Sequence, residues 1–168
     1  DVLLTFGGTD QHDLSRKIYR SIRSLCESQS INIHIVTGPG YRNYGELAAE
    51  VTGDDFVSLT HATGVISSIM EKVQLAITSN GRTVYELAHM NIPSIVISQH
   101  DRECTHAFAR EENGVTPLDL YEENVTERKA IEEFEKLVFD VERRLKLYDK
   151  IKTISFSGNK RKVISIIL

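Results

Sequence analysis

Short apolar segments and segments with helical spacing alternate along most of this chain. The apolar segments are rich in β-branched residues and nearly continuous, which is typical of strands that are covered on both faces of a sheet. We therefore predict strands at residues 2–6, 31–36, 56–59, 75–77, 94–97 and 115–118.

Apolar residues recur every three or four positions in the segments between these strands, as on the buried face of a helix. The first such segment places Leu14, Ile18, Ile22 and Leu25 on one face. This spacing predicts helices at residues 14–26, 44–51, 65–73, 82–90, 105–112 and 125–147, and an apolar last helix at 163–168 after the basic residues 160–162. Strands that alternate with helices indicate an α/β fold, a Rossmann-like, doubly wound parallel sheet of about six strands.

The loops after the carboxyl ends of parallel strands lie at one edge of the sheet, and ligands bind at that edge in doubly wound folds. In this chain these loops are rich in glycine and small polar residues, and they fall at residues 7–10, 38–40, 60–64, 79–81 and 99–101. Their composition indicates a domain that binds a ligand rather than a structural spacer.

The first of these loops, Gly7-Gly8-Thr9, lies between the first strand and the first helix. Two glycines let the main chain approach a diphosphate closely, and Thr9 adds a hydroxyl donor. A simple tight turn is the structural alternative. The sequence is not a P-loop, because no Lys-Ser or Lys-Thr follows, and it does not complete the Gly-x-Gly-x-x-Gly pattern of nicotinamide and flavin sites.

A second loop separates the fourth strand from a helix and combines small, polar and basic residues. Ser79 or Asn80 could simply cap the helix, which is the structural alternative. Gly81 permits close approach of a ligand, and Arg82 and Thr83 can reach phosphate oxygens from the first turn of the helix. We predict a diphosphate site made of Gly7, Gly8, Thr9, Ser79, Asn80, Gly81, Arg82 and Thr83.

Two further positions are candidates for ligand contacts. Glu86 lies one helical turn after the second loop, where it could pair with Arg82 or accept hydrogen bonds from a ribose. After the fifth strand, Gln99 and His100 could contact ligand hydroxyls or begin a capped helix, and a general acid–base role is open for His100. The nearby histidine and cysteine residues match no standard zinc spacing, so we predict neither a metal nor a cofactor.

The composition fits one globular domain and argues against two classes of partner. The chain has 168 residues, of which 40% are hydrophobic and 26% charged, so it can bury a core. Its net charge of −4 indicates no nucleic acid, and no apolar segment approaches the roughly 20 residues that span a membrane. The two cysteines and the lack of a recognisable secretory leader predict a cytoplasmic protein.

Three segments carry a resemblance to a known family, namely residues 5–10, 77–88 and 92–99. Together they resemble the C-terminal half of GT-B nucleotide-sugar enzymes. The likeness is closest to the UDP-sugar hydrolases of pseudaminic acid biosynthesis, and the segments are also similar to the N-acetylglucosaminyltransferases that complete lipid II. Because the chain begins at Asp1 and enters a strand at once, we expect residues 1–168 to be a single domain, the excised C-terminal part of a longer enzyme.

The resemblance implies two Rossmann-like domains with the substrate in the cleft between them. On that basis the predicted diphosphate residues would hold the pyrophosphate, Glu86 would accept from the ribose, and main chain near Ile66 would contact the uracil. Gln99 and His100 would face the sugar. The catalytic His of the hydrolases belongs to the N-terminal domain, so the catalytic residues of this chain are left unknown.

We therefore expect the UDP-binding domain of a UDP-sugar hydrolase that acts in pseudaminic or sialic-like acid biosynthesis. Its partners would be the UDP-sugar and the missing N-terminal domain. One alternative is the C-terminal domain of a UDP-sugar glycosyltransferase, which transfers the sugar to an acceptor instead of water. Another is a non-catalytic module that senses nucleotide-sugars. The sequence does not separate these, because acceptor contacts would lie mostly in the missing half.

Overall fold

The computed structural model describes residues 1–64 and 66–156, and a six-stranded parallel sheet forms the centre of this part of the chain. The sheet has the spatial order β3-β2-β1-β4-β5-β6, and every neighbouring pair is parallel. The strands are β1 (Val2–Thr5), β2 (Ile33–Thr37), β3 (Val57–His61), β4 (Leu75–Ser79), β5 (Ser94–Ser98) and β6 (Val115–Leu120). The predicted Rossmann-like α/β fold is confirmed.

Helices connect these strands and cover both faces of the sheet. They are α1 (Leu14–Ser28), α2 (Tyr44–Val51), α3 (Ser67–Met70), α4 (Thr83–His89), α5 (Asp101–Cys104), α6 (Val125–Phe139) and α7 (Val141–Lys152). The third helix is shorter than the predicted residues 65–73. The predicted helix at 163–168 and the basic residues before it lie outside the described residues. Within those described, no helix combines the length and the apolar character that a membrane crossing requires.

Consecutive residues of β1 show why its apolar run is continuous. Leu4 packs in the core with Ile18 of α1 and Phe134 of α6, whereas Leu3 packs on the other face with Leu87 of α4. Leu3 and Leu4 are both fully buried. Since side chains of a strand alternate between the faces, a sheet that is covered on both sides requires apolar residues at successive positions.

The prediction of a helix at residues 105–112 is wrong. Helix α5 ends at Cys104, the following residues take an irregular path, and only a short 3-10 turn forms at Glu111–Asn113. Asn80 donates from Nδ2 to the carbonyl oxygen of Glu103 over 2.9 Å, and the Nδ1 atom of His106 lies 2.5 Å from the carbonyl oxygen of Asn80. These contacts come from a different loop and hold the segment out of a regular helix.

The single helix that was predicted at residues 125–147 is divided into α6 and α7 at Asp140. This residue has an extended backbone, and its side chain accepts a hydrogen bond of 2.9 Å from the main-chain N–H of Arg143. Aspartate is a preferred N-cap because its carboxylate satisfies an N–H group that the first turn leaves unpaired. The helical spacing continues through the break, so the pattern of apolar residues did not reveal it.

Candidate functional site

The loops after β1 and β4 meet at the carboxyl edge of the sheet. The two strands are paired, with Thr5 opposite Thr78, and a Cβ atom built on Gly7 would lie 3.5 Å from Ser79 Oγ. Gly7 has a φ of +76°, which favours glycine. A Cβ atom on Gly8 would meet no atom within 4 Å, and the loop is exposed there. The structure therefore brings both halves of the predicted diphosphate site together and leaves space above Gly8.

Asp10 is a residue at this edge that the sequence analysis did not single out. Its two carboxylate oxygens accept hydrogen bonds of 2.8 Å from the main-chain N–H groups of Leu14 and Ser15, at the start of α1. The side chain is buried, and burial raises the pKa of Asp10 above its usual 3.8. Because Asp10 already satisfies these donors, a diphosphate at this loop would contact the loop itself rather than the start of α1. An aspartate a few residues ahead of a predicted helix is the signal that could have revealed it.

The loop after β4 makes a tight turn before α4. Gly81 donates from its main-chain N–H to the carbonyl oxygen of Ser79 over 2.8 Å, and Arg82 occupies the N-cap position of α4 with helical backbone angles. No side chain caps this helix, so the capping role that was considered for Ser79 or Asn80 is not realised. Arg82 is exposed beside the turn, where its guanidinium can approach an anionic ligand.

Asn80 has a structural role in this loop. Its main-chain N–H donates to the carbonyl oxygen of Ile97 over 3.0 Å, and its Nδ2 atom donates to Ser98 Oγ over 3.2 Å as well as to Glu103. The residue is 6% exposed. These bonds join the ends of β4 and β5 to α5, and they occupy the donors that a diphosphate would otherwise use. Its predicted contact with the diphosphate remains a prediction.

A cleft of about 490 Å³ lies between α3 and α4, and it contains both of the residues that were predicted to bind the nucleoside. Glu86 is exposed on α4, and among the described residues no ion pair joins it to Arg82, which was the structural alternative. The rest of the lining is mainly apolar. The cleft is lined by Gly64, Ile66, Ser67, Met70, Tyr85, Glu86, His89, Met90 and Phe156. A mainly apolar cleft with one carboxylate can receive a flat ring and accept hydrogen bonds from a diol.

Gln99 and His100 are adjacent in sequence, but the structure places their side chains differently. Gln99 is 8% exposed and donates from Nε2 to the carbonyl oxygen of Phe6 over 2.9 Å. The imidazole of His100 is half exposed, and its Nε2 atom lies 4.0 Å from Glu103 Oε1. The position of His100 suits contact with a ligand, whereas the amide of Gln99 is directed to β1. Their contact with the sugar remains a prediction.

The histidine and cysteine residues near this loop do not form a metal site in the structure. Across residues 1–64 and 66–156, no group of three or more His, Cys, Asp or Glu side chains is arranged to hold a metal ion. His106, for example, uses Nδ1 in its contact with the carbonyl oxygen of Asn80.

Solved structures with the same fold include one that was solved with UDP and one that is described as a CMP-Kdo binding domain. S. aureus MnaA, solved with UDP, superposes with a TM-score of 0.73 at 12% identity over 99% of this chain and 44% of that chain. Acinetobacter baumannii MurG gives a TM-score of 0.67 at 13% identity over 99% of this chain and 49% of that one. The C-terminal CMP-Kdo binding domain of WaaA from Acinetobacter baumannii gives 0.61 at 11% identity and covers 90% of this chain and 87% of that domain. At these identities the likeness concerns the fold.

Sequence comparison identifies the family. The uncharacterized protein MJ1062 of Methanocaldococcus jannaschii is 28% identical in an alignment of 109 residues that covers 62% of this chain and 22% of that protein. The chain thus spans about a fifth of this curated relative and less than half of MnaA and MurG. Residues 2–160 match the glycosyltransferase family 28 C-terminal domain. This chain therefore belongs to the glycosyltransferase family 28 C-terminal domains.

Proposed function

We propose that this chain binds the nucleotide of a UDP-sugar and forms the donor half of a two-domain glycosyltransferase. The observation that carries the proposal is the meeting of separately predicted residues at one edge of the sheet. Glu86 and Ile66 line one cleft, and α4 connects that cleft directly to the Ser79–Gly81 turn, which lies beside Gly7. A nucleoside in the cleft would thus have its phosphates beside the two glycine-containing loops.

Each part of this edge has a distinct task in the proposal. The apolar wall of the cleft near Ile66 receives the base, and the carboxylate of Glu86 accepts from the ribose hydroxyls. Main-chain N–H groups of the Gly7-Gly8-Thr9 loop and the guanidinium of Arg82 hold the diphosphate. When the bond between the sugar and the diphosphate breaks, negative charge grows on the leaving UDP, and these donors stabilise it. His100, whose imidazole is half exposed after β5, contacts the sugar in this proposal.

The family match favours transfer over hydrolysis. The matched family is named for glycosyltransferases, and the sequence-based expectation of a hydrolase in pseudaminic acid biosynthesis has no support among the comparisons. The choice of acceptor, whether a hydroxyl of another molecule or water, would belong to the domain that faces this edge. We propose that this facing domain is the remaining part of a longer protein, since the chain spans 44% of MnaA and 49% of MurG.

A cytoplasmic location is part of the same proposal. The two cysteines, Cys26 and Cys104, are free thiols, as is usual for proteins of a reducing compartment. Cys26 is buried, and burial raises the pKa of its thiol to about 11, so the thiolate is disfavoured at neutral pH.

Calorimetric titration of the 168-residue chain with UDP, CMP and ADP tests nucleotide binding. We expect UDP to bind with a higher affinity than CMP or ADP, and Glu86→Ala to weaken binding about tenfold, as loss of a hydrogen-bonding carboxylate does. Glu135→Ala on α6 is the matched control, because Glu135 is an exposed glutamate far along the chain from the cleft. A folded wild-type chain that binds none of the three nucleotides would overturn the proposal.

The full-length protein tests transfer against hydrolysis. We expect a UDP-sugar to be consumed only when an acceptor substrate is supplied, and the chain alone to turn over no UDP-sugar. Release of free sugar and UDP in buffer without any acceptor would instead establish the hydrolase.

A further inference from the structure

The loop after β2 packs unusually closely against the Gly7-Gly8-Thr9 loop. A Cβ atom on Gly38 would lie 2.5 Å from the Cα atom of Gly8 and 2.6 Å from the carbonyl oxygens of both Gly7 and Gly8. Non-bonded carbon atoms normally approach to about 3.5 Å. The backbone of Gly38 has no positive φ, so space alone requires glycine there.

Gly40 continues the same contact. Its main-chain N–H donates to the carbonyl oxygen of Gly8 over 2.9 Å. A Cβ atom on Gly40 would lie 3.0 Å from Thr9 Cγ2 and 3.1 Å from the Gly8 carbonyl oxygen. Residues 38–40 therefore support the first loop from one side along its whole length.

This support determines the direction of two peptide groups. The carbonyl oxygens of Gly7 and Gly8 both approach residues 38–40. In a planar trans peptide the N–H points opposite to the carbonyl, and the structure contains no cis peptide among the described residues. The N–H groups of Gly8 and Thr9 therefore face away from the supporting loop. Successive N–H groups that point to one side are a recurrent way of binding phosphate oxygens.

We infer that Gly38 is a positioning residue that orients the N–H groups of Gly8 and Thr9 toward the diphosphate of the nucleotide. The inference rests on the proposed function, because it takes the ligand to be a nucleoside diphosphate. An alanine at position 38 must displace the Gly7–Gly8 backbone, which turns these two N–H groups. It leaves the cleft around Glu86 unchanged, since no residue of the supporting loop lines that cleft.

The experiment compares UDP with uridine, which lacks the diphosphate, as ligands of the 168-residue chain. Gly38→Ala should reduce the affinity for UDP about tenfold, the effect of losing a hydrogen bond to a charged group, and leave the affinity for uridine unchanged. Gly40→Ala should have a smaller effect of the same kind. It replaces Gly38→Ala as the test variant if Gly38→Ala does not fold. Gly45→Ala is the matched control, because a Cβ atom there meets nothing within 4 Å.

Amide NMR signals of the unliganded variants provide the second measurement. The signals of Gly8 and Thr9 should shift in Gly38→Ala and Gly40→Ala but not in Gly45→Ala. If these signals do not move, or if the variants lose UDP and uridine affinity by the same factor, the inference is overturned while UDP binding by the wild type stands. If the wild-type chain binds uridine and UDP equally or neither of them, the proposed function fails and the inference fails with it.

Discussion

Gln99 donates from Nε2 to the carbonyl oxygen of Phe6 over 2.9 Å, a bond between residues 93 positions apart. It joins the end of β5 to the end of β1 across the intervening strand β4. The main-chain N–H of Gln99 in turn donates a hydrogen bond to Glu103 Oε2 over 2.7 Å. The loop that begins at Gly7 thus starts from a fixed point on the sheet, although glycines make up much of it.

Gln99→Ala should lower the free energy of unfolding by about 1 to 2 kcal/mol, because it leaves the buried carbonyl of Phe6 without this partner. Urea denaturation of the purified chain measures the change. His100→Ala is the neighbouring control and should stay within about 0.5 kcal/mol of the wild type, as exposed substitutions do. Equal effects of the two variants would show that the bond to Phe6 contributes nothing.

Asn80→Ala should destabilise the protein by about 1 to 3 kcal/mol, because Ser98 and the carbonyl oxygen of Glu103 lose a buried donor. Local disorder of residues 101–106 should accompany the loss, and amide hydrogen exchange reports it directly. If exchange in this segment is unchanged while UDP affinity falls, Asn80 acts on the ligand and not on the loop.

Gly8→Ala should separate binding from stability. The added methyl group meets no atom within 4 Å, so the thermal midpoint should match that of the wild type. It occupies space above the loop, however, and UDP affinity should fall about tenfold or more. Calorimetry and a thermal melt on the same sample measure both effects, with Gly45→Ala as the control. Unchanged affinity would exclude close approach of the diphosphate to Gly8.

The contacts of Asp54 predict that the protein loses stability in acid. The carboxylate forms an ion pair with Arg23 and accepts hydrogen bonds of 3.1 Å from the Tyr19 hydroxyl and the Phe56 N–H. The hydrogen bond from Arg23 is the main cause that holds the pKa of Asp54 below its usual 3.8. Because the unfolded chain binds this proton more readily, the stabilisation is present above the unfolded pKa and is lost as the pH falls through the folded pKa.

Asp54→Asn should therefore cost about 1 to 2 kcal/mol at pH 7 and remove part of the acid dependence below about pH 4. Urea denaturation between about pH 7 and about pH 3, a range that includes the usual carboxyl pKa, measures both effects. Asp55→Asn, at the adjacent exposed aspartate, is the control. Parallel stability profiles for the wild type and Asp54→Asn would contradict the assignment.

The sequence pattern predicted the parts of this fold that depend on local periodicity. All six strands lie where β-branched runs placed them, and α1 and α2 begin at the predicted residues Leu14 and Tyr44. Two of the errors, at residues 105–112 and at Asp140, occur where a side chain bonds to main chain and overrides helical spacing. Such bonds depend on a single residue and leave no periodic signal.

The candidate site likewise combines features that the sequence reveals with features that depend on the folded structure. Glycines, hydroxyls and a carboxylate after strand ends were recognisable as ligand-binding types, and the structure brings Gly7 to Ser79 and Glu86 to Ile66. The support from Gly38 was not predictable, because it depends on an approach between segments that are about thirty residues apart. The role of Gln99 is likewise determined by a tertiary contact, whereas the hydrogen bonds that Asp10 accepts from Leu14 and Ser15 are local and were recognisable in principle from its place before α1.

The carboxylate of Asp10 also bears on which molecules can compete for this edge. It is a permanently attached anion at the start of α1, so the positive end of that helix is already neutralised. A small inorganic anion, with no base or ribose to anchor it, would meet loop donors beside a fixed negative charge. We therefore expect phosphate and pyrophosphate to be weak inhibitors of nucleotide binding. A nucleotide would be held at this edge mainly by the contacts of its nucleoside.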